Sequence, residues 1–367
     1  MRVLVLGAYG AFGARVAERL AREPGLELIV AGRSLPRAEG LARRLSQAER
    51  ANVIPACMDA TDVSAARLSQ KGPNVLINAS GPYQRQDYRL ARACIGAGVH
   101  YIDLADARGF VAGIGTLDEE ARRAGVLVVS GASTVPALSA AVVDAYLQQF
   151  ARLECVRIVI SPGNSFDPGL ATTQSILGTL GRPFTVPADG RTSAVHGWQG
   201  LQRRHITGLG GRWLGACDTP DLELFPRRYP DLRSVQVFAA LEVGAFHWGL
   251  WGLSWVVRAG LLRRPERLAA PLLALKRAMR FLGSDVGGMA ITLEGESASG
   301  GRKRIEWRLI ARRGHGPFIP AMPSVILAKR LLAGGLTKRG AMPCLGLFTL
   351  DEFMAEAADL DMEAQAA

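Results

Sequence analysis

The stretch Gly7-Ala8-Tyr9-Gly10-Ala11-Phe12-Gly13 decides the fold of this chain. It lies between an apolar run, Val3-Leu4-Val5-Leu6, and a helical pattern that begins at Ala14. Glycines spaced in this way between a strand and a helix are typical of a turn that binds dinucleotide phosphates. The start of the helix adds unpaired N–H groups and a partial positive charge, which favour an anion. We therefore predict a dinucleotide-binding unit at the start of the chain.

Each glycine of this turn has its own physical role. Gly7 permits the sharp turn off the strand, Gly10 lets the backbone approach a pyrophosphate, and Gly13 lets the helix pack against the sheet. The spacing G-x-x-G-x-x-G is one that we associate with NADP-using reductases. The predicted cofactor-binding residues of the turn are Gly7, Tyr9, Gly10, Ala11, Phe12 and Gly13.

Arg33 indicates which dinucleotide binds. It follows Gly13 by twenty positions, where a second strand should end beside the ribose 2′ position. An acidic residue there favours NAD, whereas an arginine favours the additional phosphate of NADP. Ser34 marks the start of the next helix, and Arg37 is expected to share the 2′-phosphate or to stack on the adenine. The expected cofactor is therefore NADP(H), with Arg33, Ser34 and Arg37 among its contacts.

The first 150 residues alternate strands and helices in the manner of a doubly wound parallel sheet, the α/β Rossmann arrangement. Short apolar runs rich in Val, Ile and Leu are typical of buried parallel strands. The predicted strands are 2–6, 27–31, 52–56, 74–78, 99–103 and 125–129. The predicted helices are 12–22, 36–47, 62–70, 86–97 and 115–124.

A second loop lies at the carboxyl end of the fourth strand, where ligands bind in such sheets. It reads Asn78-Ala79-Ser80-Gly81-Pro82-Tyr83, and its Gly-Pro turn can carry the backbone past a nicotinamide ribose. A plain turn that ends the strand is the alternative. Tyr83 would donate a proton or a hydrogen bond to substrate, or else be a partly buried structural tyrosine. The predicted cofactor contacts here are Ala79, Ser80, Gly81 and Pro82.

Three carboxylates also follow predicted strands. Asp59 comes after the third strand, where it would either meet the adenine or cap the helix near Thr61 and Asp62. Asp103 and Asp106 end the fifth strand, where a carboxylate can orient substrate or relay a proton. Helix capping or a buried hydrogen bond is the competing interpretation for both. We predict Tyr83, Asp103 and Asp106 as the catalytic residues.

Length and composition limit the class of protein. A chain of 367 residues is long for one core and suggests two domains. Its 49% hydrophobic and 21% charged residues are ordinary for a globular protein. The net charge is +11, but no basic stripe is interleaved with aromatics, which argues against a nucleic-acid partner. Five scattered cysteines without metal-ligand spacing, and a start directly in a strand, predict a cytoplasmic protein without a metal site.

The pattern changes after residue 135 and predicts a second, α+β domain. Residues 181–233, rich in Gly, Pro and Arg, are expected to be irregular. The other predicted elements are strands at 156–160 and 234–241, helices at 169–180, 323–334 and 349–358, and a hairpin of 289–297 with 303–311. The predicted boundaries are 1–134 for the cofactor domain, 135–317 for the second domain and 318–367 for C-terminal helices, whose sequence alone does not indicate which domain they join.

The most apolar segment is 243–262, which contains three tryptophans and four glycines. It is long enough to span a membrane, but the flanking domain pattern favours the lining of an apolar pocket. The next segment, 263–282, is expected to form a basic amphipathic helix. We expect its basic face to contact water, and the alternative is that it lies on an anionic membrane surface.

Further segments, considered together, point to one family. The glycine turn at 7–13 is joined by Ala31-Gly32-Arg33, by the loop at 78–83, and by Ala97-Gly98-Val99-His100-Tyr101-Ile102-Asp103-Leu104-Ala105-Asp106. With 130–136 and 346–353, these segments resemble the saccharopine dehydrogenase-like reductases, which include saccharopine reductases and the trans-acting enoyl reductases of lipid synthesis. The resemblance implies an NADP-binding Rossmann domain, an inserted α+β domain, a C-terminal return to the first domain, and hydride transfer to a C=N or C=C bond.

The expected function is that of an NADPH-dependent reductase acting on a C=C or C=N bond of a fairly apolar small molecule. A dicarboxylic amino acid would require several fixed arginines in a polar pocket, whereas the middle of this chain is Trp-rich and apolar. The alternatives are an opine- or saccharopine-type reductase, and a non-catalytic NADP(H)-binding sensor or membrane-associated scaffold. The expected partner is a small molecule, with a homodimer and a peripheral membrane contact through 243–282 left open.

Overall fold

The structure is a computed structural model, and it describes residues 1–48, 50–84 and 86–367. The chain divides into two compact units. The first unit consists of Met1–Leu138 with Pro317–Phe348, and the second consists of Ser139–Gly316 with Thr349–Ala367. Each unit is therefore built from two separate segments of the sequence.

Strands and helices alternate at first and then give way to a strand-rich middle. In chain order the strands are β1 (Arg2–Leu6), β2 (Glu27–Gly32), β3 (Asn52–Cys57), β4 (Val75–Asn78), β5 (His100–Asp103), β6 (Leu127–Ser130), β7 (Phe150–Ser161), β8 (Pro183–Ala188), β9 (Arg191–His196), β10 (Gln202–Ile206), β11 (Gly210–Ala216), β12 (Ser234–Ala239), β13 (Gly287–Ser297), β14 (Arg302–Ala311), β15 (Gly340–Pro343) and β16 (Met362–Ala366). The helices are α1 (Gly13–Leu20), α2 (Leu35–Ala48), α3 (Ala65–Lys71), α4 (Arg89–Gly96), α5 (Arg108–Gly113), α6 (Asp118–Arg123), α7 (Ser139–Tyr146), α8 (Gly169–Thr179), α9 (Asp221–Arg228), α10 (Gly244–Arg258), α11 (Ala269–Ala278), α12 (Met322–Leu332) and α13 (Leu350–Glu356).

The first unit contains a parallel sheet in the order β15-β6-β5-β4-β1-β2-β3. Strand β1 pairs with β2 on one side and with β4 on the other, so that Leu4 lies between Ile29 and Leu76. All three side chains are buried, as expected for a parallel sheet that is covered on both faces. The strand order reverses at β1, which is where ligands bind in doubly wound sheets. The predicted Rossmann fold is confirmed.

Strands β1 to β6 agree with the predicted strands to within two residues at each end. The sequence pattern missed α5, a six-residue helix whose N-terminus has no side-chain cap and therefore no start signal. It also missed β15, which pairs in parallel with β6 and forms one edge of the sheet. The four residues of β15 are too few for a periodic pattern.

The second unit contains a mixed sheet in the order β10-β11-β12-β7-β13-β14-β16. Strands β7 and β12 are parallel, and β13 pairs antiparallel with both β7 and β14. The β13–β14 pair is the predicted hairpin. Its alternating Ile305, Trp307 and Leu309 are all buried, which places the core on one face of this hairpin.

The prediction that residues 181–233 are irregular is wrong. This stretch forms β8 to β11 and α9, with β8 paired to β9 and β10 paired to β11. Of the five residues of β10, only Ile206 is buried. Because these strands are largely exposed, they lack the apolar runs by which a strand is detected in a sequence.

The segment 243–282 also differs from the prediction. Residues 244–258 form α10, which ends before Gly260, a residue with φ of +76°. Residues 263–282 do not form one helix, because α11 is preceded by a 3-10 turn at Pro265–Leu268 and followed by another at Arg280–Leu282. Within the described residues, no helix is long and apolar enough to cross a membrane.

The C-terminal segment is shared between the units. Pro317–Phe348, with α12 and β15, belongs to the first unit, whereas Thr349–Ala367 belongs to the second. This corrects the prediction that the whole of 318–367 packs on the first domain. The physical reason is that β16 hydrogen-bonds along β14, from Met362 beside Ala311 to Ala366 beside Trp307. A capping box of Thr349 and Glu352 starts α13 just after the change of unit.

Candidate functional site

The turn between β1 and α1 can be built only from glycine at two positions. Gly7 has φ of +80°, and a Cβ on it would lie 2.9 Å from the main chain of Ala79. A Cβ on Gly13 would lie 2.2 Å from the carbonyl oxygen of Gly7. Gly10 closes the turn by donating its N–H to that same oxygen at 2.9 Å. The chain itself therefore packs too closely here for any side chain.

Helix α1 begins at this turn without a capping side chain. Its N-cap residue is Phe12, which makes no side-chain capping hydrogen bond. The N–H groups of the first helical turn thus have no side-chain acceptor, and with the helix dipole they suit an anion. Gly10 is exposed and Tyr9, Ala11 and Phe12 are partly exposed, so the turn is open to a ligand. These features fit the pyrophosphate of a dinucleotide.

Tyr9 links the glycine turn to the end of β2. Its ring lies against Gly32, where a Cβ would come within 2.6 Å of the ring atoms. Its hydroxyl accepts a hydrogen bond from the Ser34 N–H at 2.8 Å, and the Arg37 guanidinium stacks over the ring at 4.4 Å. The predicted cofactor residues Tyr9, Ser34 and Arg37 are therefore brought together. Nothing in the sequence indicates that they contact one another.

The exposed Arg33 and Arg37 supply positive charge at the end of β2. Neither guanidinium forms an ion pair within the part of the chain that the structure describes. Asp59 accepts hydrogen bonds from the Thr61 N–H at 3.0 Å and the Thr61 hydroxyl at 2.9 Å. These bonds, together with the nearby charge of Arg33, lower the pKa of Asp59. Asp59 thus holds a turn with Thr61. It is not the helix cap that was the alternative to contact with the adenine, because α3 begins at Ala65 and is capped by Ser64.

The loop after β4 is held by hydrogen bonds to its own backbone. The Asn78 side-chain oxygen accepts from the Ser80 N–H at 3.0 Å, and Asn78 Nδ2 donates to the Tyr101 hydroxyl at 3.2 Å. The Gln86 amide donates to the carbonyl of Ser80 at 2.7 Å and that of Pro82 at 3.2 Å. The backbone from Ala79 to Pro82 stays partly exposed. It runs beside Gly7, as a Gly-Pro loop at a cofactor would.

Tyr83 is a buried residue whose hydroxyl donates to the Asn78 carbonyl at 2.7 Å. Burial and the charges of Asp103 and Asp106 raise the pKa of Tyr83 well above its usual value. Its ring packs beside Phe110, with 5.6 Å between the ring centroids. This geometry is that of a structural tyrosine, which was the alternative to a Tyr83 that donates a proton or a hydrogen bond to substrate.

Asp103 is completely buried at the end of β5. Its Oδ1 accepts hydrogen bonds from the Gly131 N–H at 2.8 Å, the Ser130 hydroxyl at 2.9 Å and the Ala105 N–H at 3.0 Å. Its Oδ2 has no hydrogen-bond partner among the described residues. Burial raises the pKa of Asp103 to about 6, although these three hydrogen bonds favour the ionised form. The carboxylate is thus directed into the protein, where it holds the turn after β6.

Asp106 is the member of the predicted catalytic set that remains partly exposed. Its Oδ1 accepts a hydrogen bond from the Gln84 amide at 3.4 Å. Sequence reasoning missed the residues that support this region, namely Asn78 as a side chain, Gln86, Tyr101 and Ser130. Asn78 was indicated by its place at a strand end, and Tyr101 and Ser130 lie in segments that carry the family resemblance. The contacts of Tyr101 and Ser130 cross the sheet, where sequence spacing carries no information, whereas Gln86 bonds only four to six residues away.

The carboxyl ends of β1, β2 and β4 thus carry a glycine turn, an arginine pair and a Gly-Pro loop. This combination on a doubly wound sheet defines a Rossmann-type protein that binds NADP(H). Residues 3–129 match the family model described as the saccharopine dehydrogenase NADP binding domain. Residues 3–129, about a third of the chain, are thus similar to this NADP-binding domain, as the resemblance predicted.

Two relatives place this assignment in context. The chain is similar over its full length to the apo histidine-tagged saccharopine dehydrogenase (L-Glu forming) from Saccharomyces cerevisiae, with a TM-score of 0.71, 14% identity and 99% of that chain covered. At this identity the likeness shows the fold. A lipid droplet localized protein of Caenorhabditis elegans is 31% identical over 144 residues, which are 37% of this chain. The match spans 34% of that relative, or about a third of its length.

Proposed function

We propose that the protein is an NADPH-dependent oxidoreductase that transfers hydride to a C=C or C=N bond of a fairly apolar small molecule. The observation that carries this proposal is the joint placement of the glycine turn, the arginine pair and the Gly-Pro loop at one edge of the parallel sheet. NADPH supplies the hydride when it is bound. The protein contributes binding, orientation and the exclusion of competing reactions.

Each part of this edge has a task that follows from its chemistry. The N–H groups at the start of α1 would bind the pyrophosphate, and Arg33 with Arg37 would bind the 2′-phosphate. The stacking of Arg37 on Tyr9 fixes the direction of its guanidinium before the cofactor binds. The Ser80–Pro82 backbone, tied to Gln86, would pass the nicotinamide ribose. A cradle that is ordered in advance reduces the entropic cost of binding.

Among the predicted catalytic residues, Asp106 is the best candidate to contact substrate. Its carboxylate is partly exposed, whereas Asp103 is buried and the Tyr83 hydroxyl already donates to Asn78. We assign Asp103 and Tyr83 as positioning residues that hold the loops after β4, β5 and β6. This revises the catalytic roles that the sequence suggested for them.

The apolar acceptor is supported by the second unit. Trp213, Trp248 and Trp251 make successive edge contacts, with centroid separations of 5.1 and 5.3 Å. A dicarboxylic amino acid would require free buried arginines. The half-buried Arg212 instead donates to the Ser161 hydroxyl at 3.2 Å and lies near the charge of Glu242. An opine- or saccharopine-type substrate is therefore less well supported than an apolar one.

The experiment is a turnover assay with the purified chain. Saturating NADPH is mixed with a panel of enones, imines and ketones, and oxidation is followed at the nicotinamide absorbance. We expect oxidation with apolar enones or imines, and much slower oxidation when NADH replaces NADPH. Tight NADPH binding without turnover on any acceptor would refute the reductase and favour an NADP(H)-binding sensor. That second candidate is supported by the exposed tryptophans of α10, which enzymatic hydride transfer does not require.

A further inference from the structure

Helix α10 has an outward face that is almost entirely apolar. The exposed positions along it include Trp248 at 43% and Trp255 at 46% exposure, together with Val256. The only charged residue of this helix is Arg258, at its C-terminal end. A helix on a protein surface normally carries polar residues on its outer face. The face of α10 is therefore built to be covered.

Further large apolar side chains are exposed in the residues that follow α10. Leu261 is 81% exposed in the connection to α11, and Phe281 is 76% exposed in the 3-10 turn beyond it. Leu275 on α11 and Leu282 are also exposed. Scattered exposed leucines are ordinary, but a run of large exposed apolar side chains on successive elements is not.

Positive charge accompanies this surface. Exposed arginines occur throughout the same segment, namely Arg258, Arg263, Arg264, Arg267, Arg277 and Arg280. The only acidic residue between 244 and 282 is Glu266, and its carboxylate lies 3.8 Å from Arg182. Arg277 is paired with Asp167 at 2.8 Å, whereas the other five arginines form no ion pair with a described residue. The apolar positions are thus flanked by positive charge that is largely unopposed.

We propose that this surface docks on a phospholipid surface that contains anionic headgroups. We call it the tryptophan–arginine surface and define it by Trp248, Trp255, Val256, Leu261, Leu275, Phe281 and Leu282 with the six arginines named above. Indole rings and leucines suit the boundary between headgroups and acyl chains, and arginines suit the anionic phosphates. A lipid surface fits the charge better than an apolar protein partner, which would not supply counter-charges along the whole segment. This inference does not depend on the proposed catalytic activity.

The test is flotation of the full chain with vesicles of phosphatidylcholine alone or mixed in equal parts with phosphatidylserine. We expect flotation only with the anionic vesicles, decreasing as salt is raised. The variant Arg263→Glu/Arg264→Glu should reduce binding by about tenfold or more, because each arginine near an anionic surface contributes to the affinity. Neither side chain forms an ion pair with a described residue. The matched control is Arg191→Glu/Arg204→Glu, which reverses two exposed arginines on β9 and β10 and should float like the wild type.

The apolar part is tested separately with Leu261→Ser/Phe281→Ser, the two most exposed large side chains of the surface. We expect loss of flotation with an unchanged unfolding midpoint and unchanged NADPH affinity. No flotation of the wild type would overturn the proposal, and so would flotation that both double variants retain. A self-associated wild type that the Leu261→Ser/Phe281→Ser variant makes monomeric would also overturn it, since a second copy would then be the occupant.

Discussion

Arg33 is the residue on which we propose that a preference for NADPH over NADH depends. Its exposed guanidinium at the end of β2 has no competing carboxylate partner among the described residues, so it is available to a phosphate. We expect Arg33→Asp to weaken NADPH binding by about 3 kcal/mol, because charge-assisted hydrogen bonds are lost and a repulsive charge is added. Titration of cofactor fluorescence measures this, with NADH affinity changing far less.

The control for this experiment is Arg43→Asp, on the exposed part of α2 in the same unit. It makes the same change of net charge away from the end of β2. Equal losses in the two variants would mean that long-range charge, rather than a contact at position 33, controls affinity. Equal binding of NADPH and NADH by the wild type would refute the role of the arginine altogether.

Gly13 allows a sharper test of the turn. We expect Gly13→Val to abolish detectable NADPH binding, because its Cβ would lie 2.2 Å from the Gly7 carbonyl oxygen and must displace the turn. Gly40 on α2 is the matched control, since a Cβ there meets nothing within 4 Å. Gly40→Ala should leave binding unchanged and stabilise the helix by up to about 1 kcal/mol. Isothermal titration together with urea unfolding separates the two effects.

At this scale, the residues that sequence reasoning identifies are those whose chemistry is local. The glycines and Arg33 are recognisable from their spacing within one strand-turn-helix unit. The partners of Asp103 are not, because Ser130 and Gly131 lie 27 and 28 residues away in sequence. Whether Asp103 faces substrate or the interior depends on the pairing of β5 with β6. For this reason the burial of Asp103 was not evident from the sequence, and its catalytic role stays a prediction.

At the scale of elements, Asp103 acts as a clamp between the end of β5 and the turn after β6. Its pKa is raised to about 6 by burial, against about 3.9 in an unfolded chain. Between these values the folded protein binds more protons than the unfolded one, so stability falls as pH rises. We expect the titration of Asp103 to lower the free energy of unfolding of the wild type by about 3 kcal/mol between about pH 4 and pH 6.

The variant Asp103→Asn keeps the Oδ1 acceptor but cannot ionise. Urea unfolding of both proteins is measured across this pH range. As pH rises, the free energy of unfolding of the variant should increase relative to that of the wild type. If the two stability curves run parallel, the buried carboxylate does not titrate with folding. Ser130→Ala removes one hydrogen-bond donor to Oδ1, which disfavours the ionised carboxylate. In this variant the free energy of unfolding should therefore fall more steeply as pH rises.

The covered strands β1 to β6 and the alternating hairpin β13–β14 were predictable, whereas the largely exposed strands β8 to β10 were not. Strands β1 to β6 are continuous apolar runs, so their positions are evident from the sequence. The hairpin β8–β9 and the strand β10 carry Arg, Thr and His at exposed positions, and their sequence resembles that of a loop. Pairing with neighbouring strands, rather than local preference, determines that these residues are extended.

At the scale of the whole molecule, the first unit depends on a segment that the family model does not include. Helix α12 packs on α1, and its Met322, Val325 and Leu327 are completely buried. Lys329 also pairs with Glu23 at 2.8 Å. Burial of three such side chains stabilises by about 5 kcal/mol or more, which is comparable to the whole stability of a domain.

We therefore expect residues 1–138 alone not to fold cooperatively or to bind NADPH. The same residues joined to 317–348 by a flexible Gly-Ser linker should do both. Circular dichroism during urea unfolding and cofactor fluorescence provide the measurements. Tight NADPH binding by 1–138 alone would show that α12 and β15 are dispensable.

The two-segment construction of the first unit has a consequence for synthesis on the ribosome. Residues 317–348 are made about 200 residues after residue 138, a delay of about ten to forty seconds at ordinary translation rates. During that time the edge of β6 has no β15 beside it, and the apolar side of α1 has no α12. An unpaired strand edge is open to pairing with other chains. The first unit, although begun first, therefore cannot complete its sheet or cover α1 until residues 317–348 have been made.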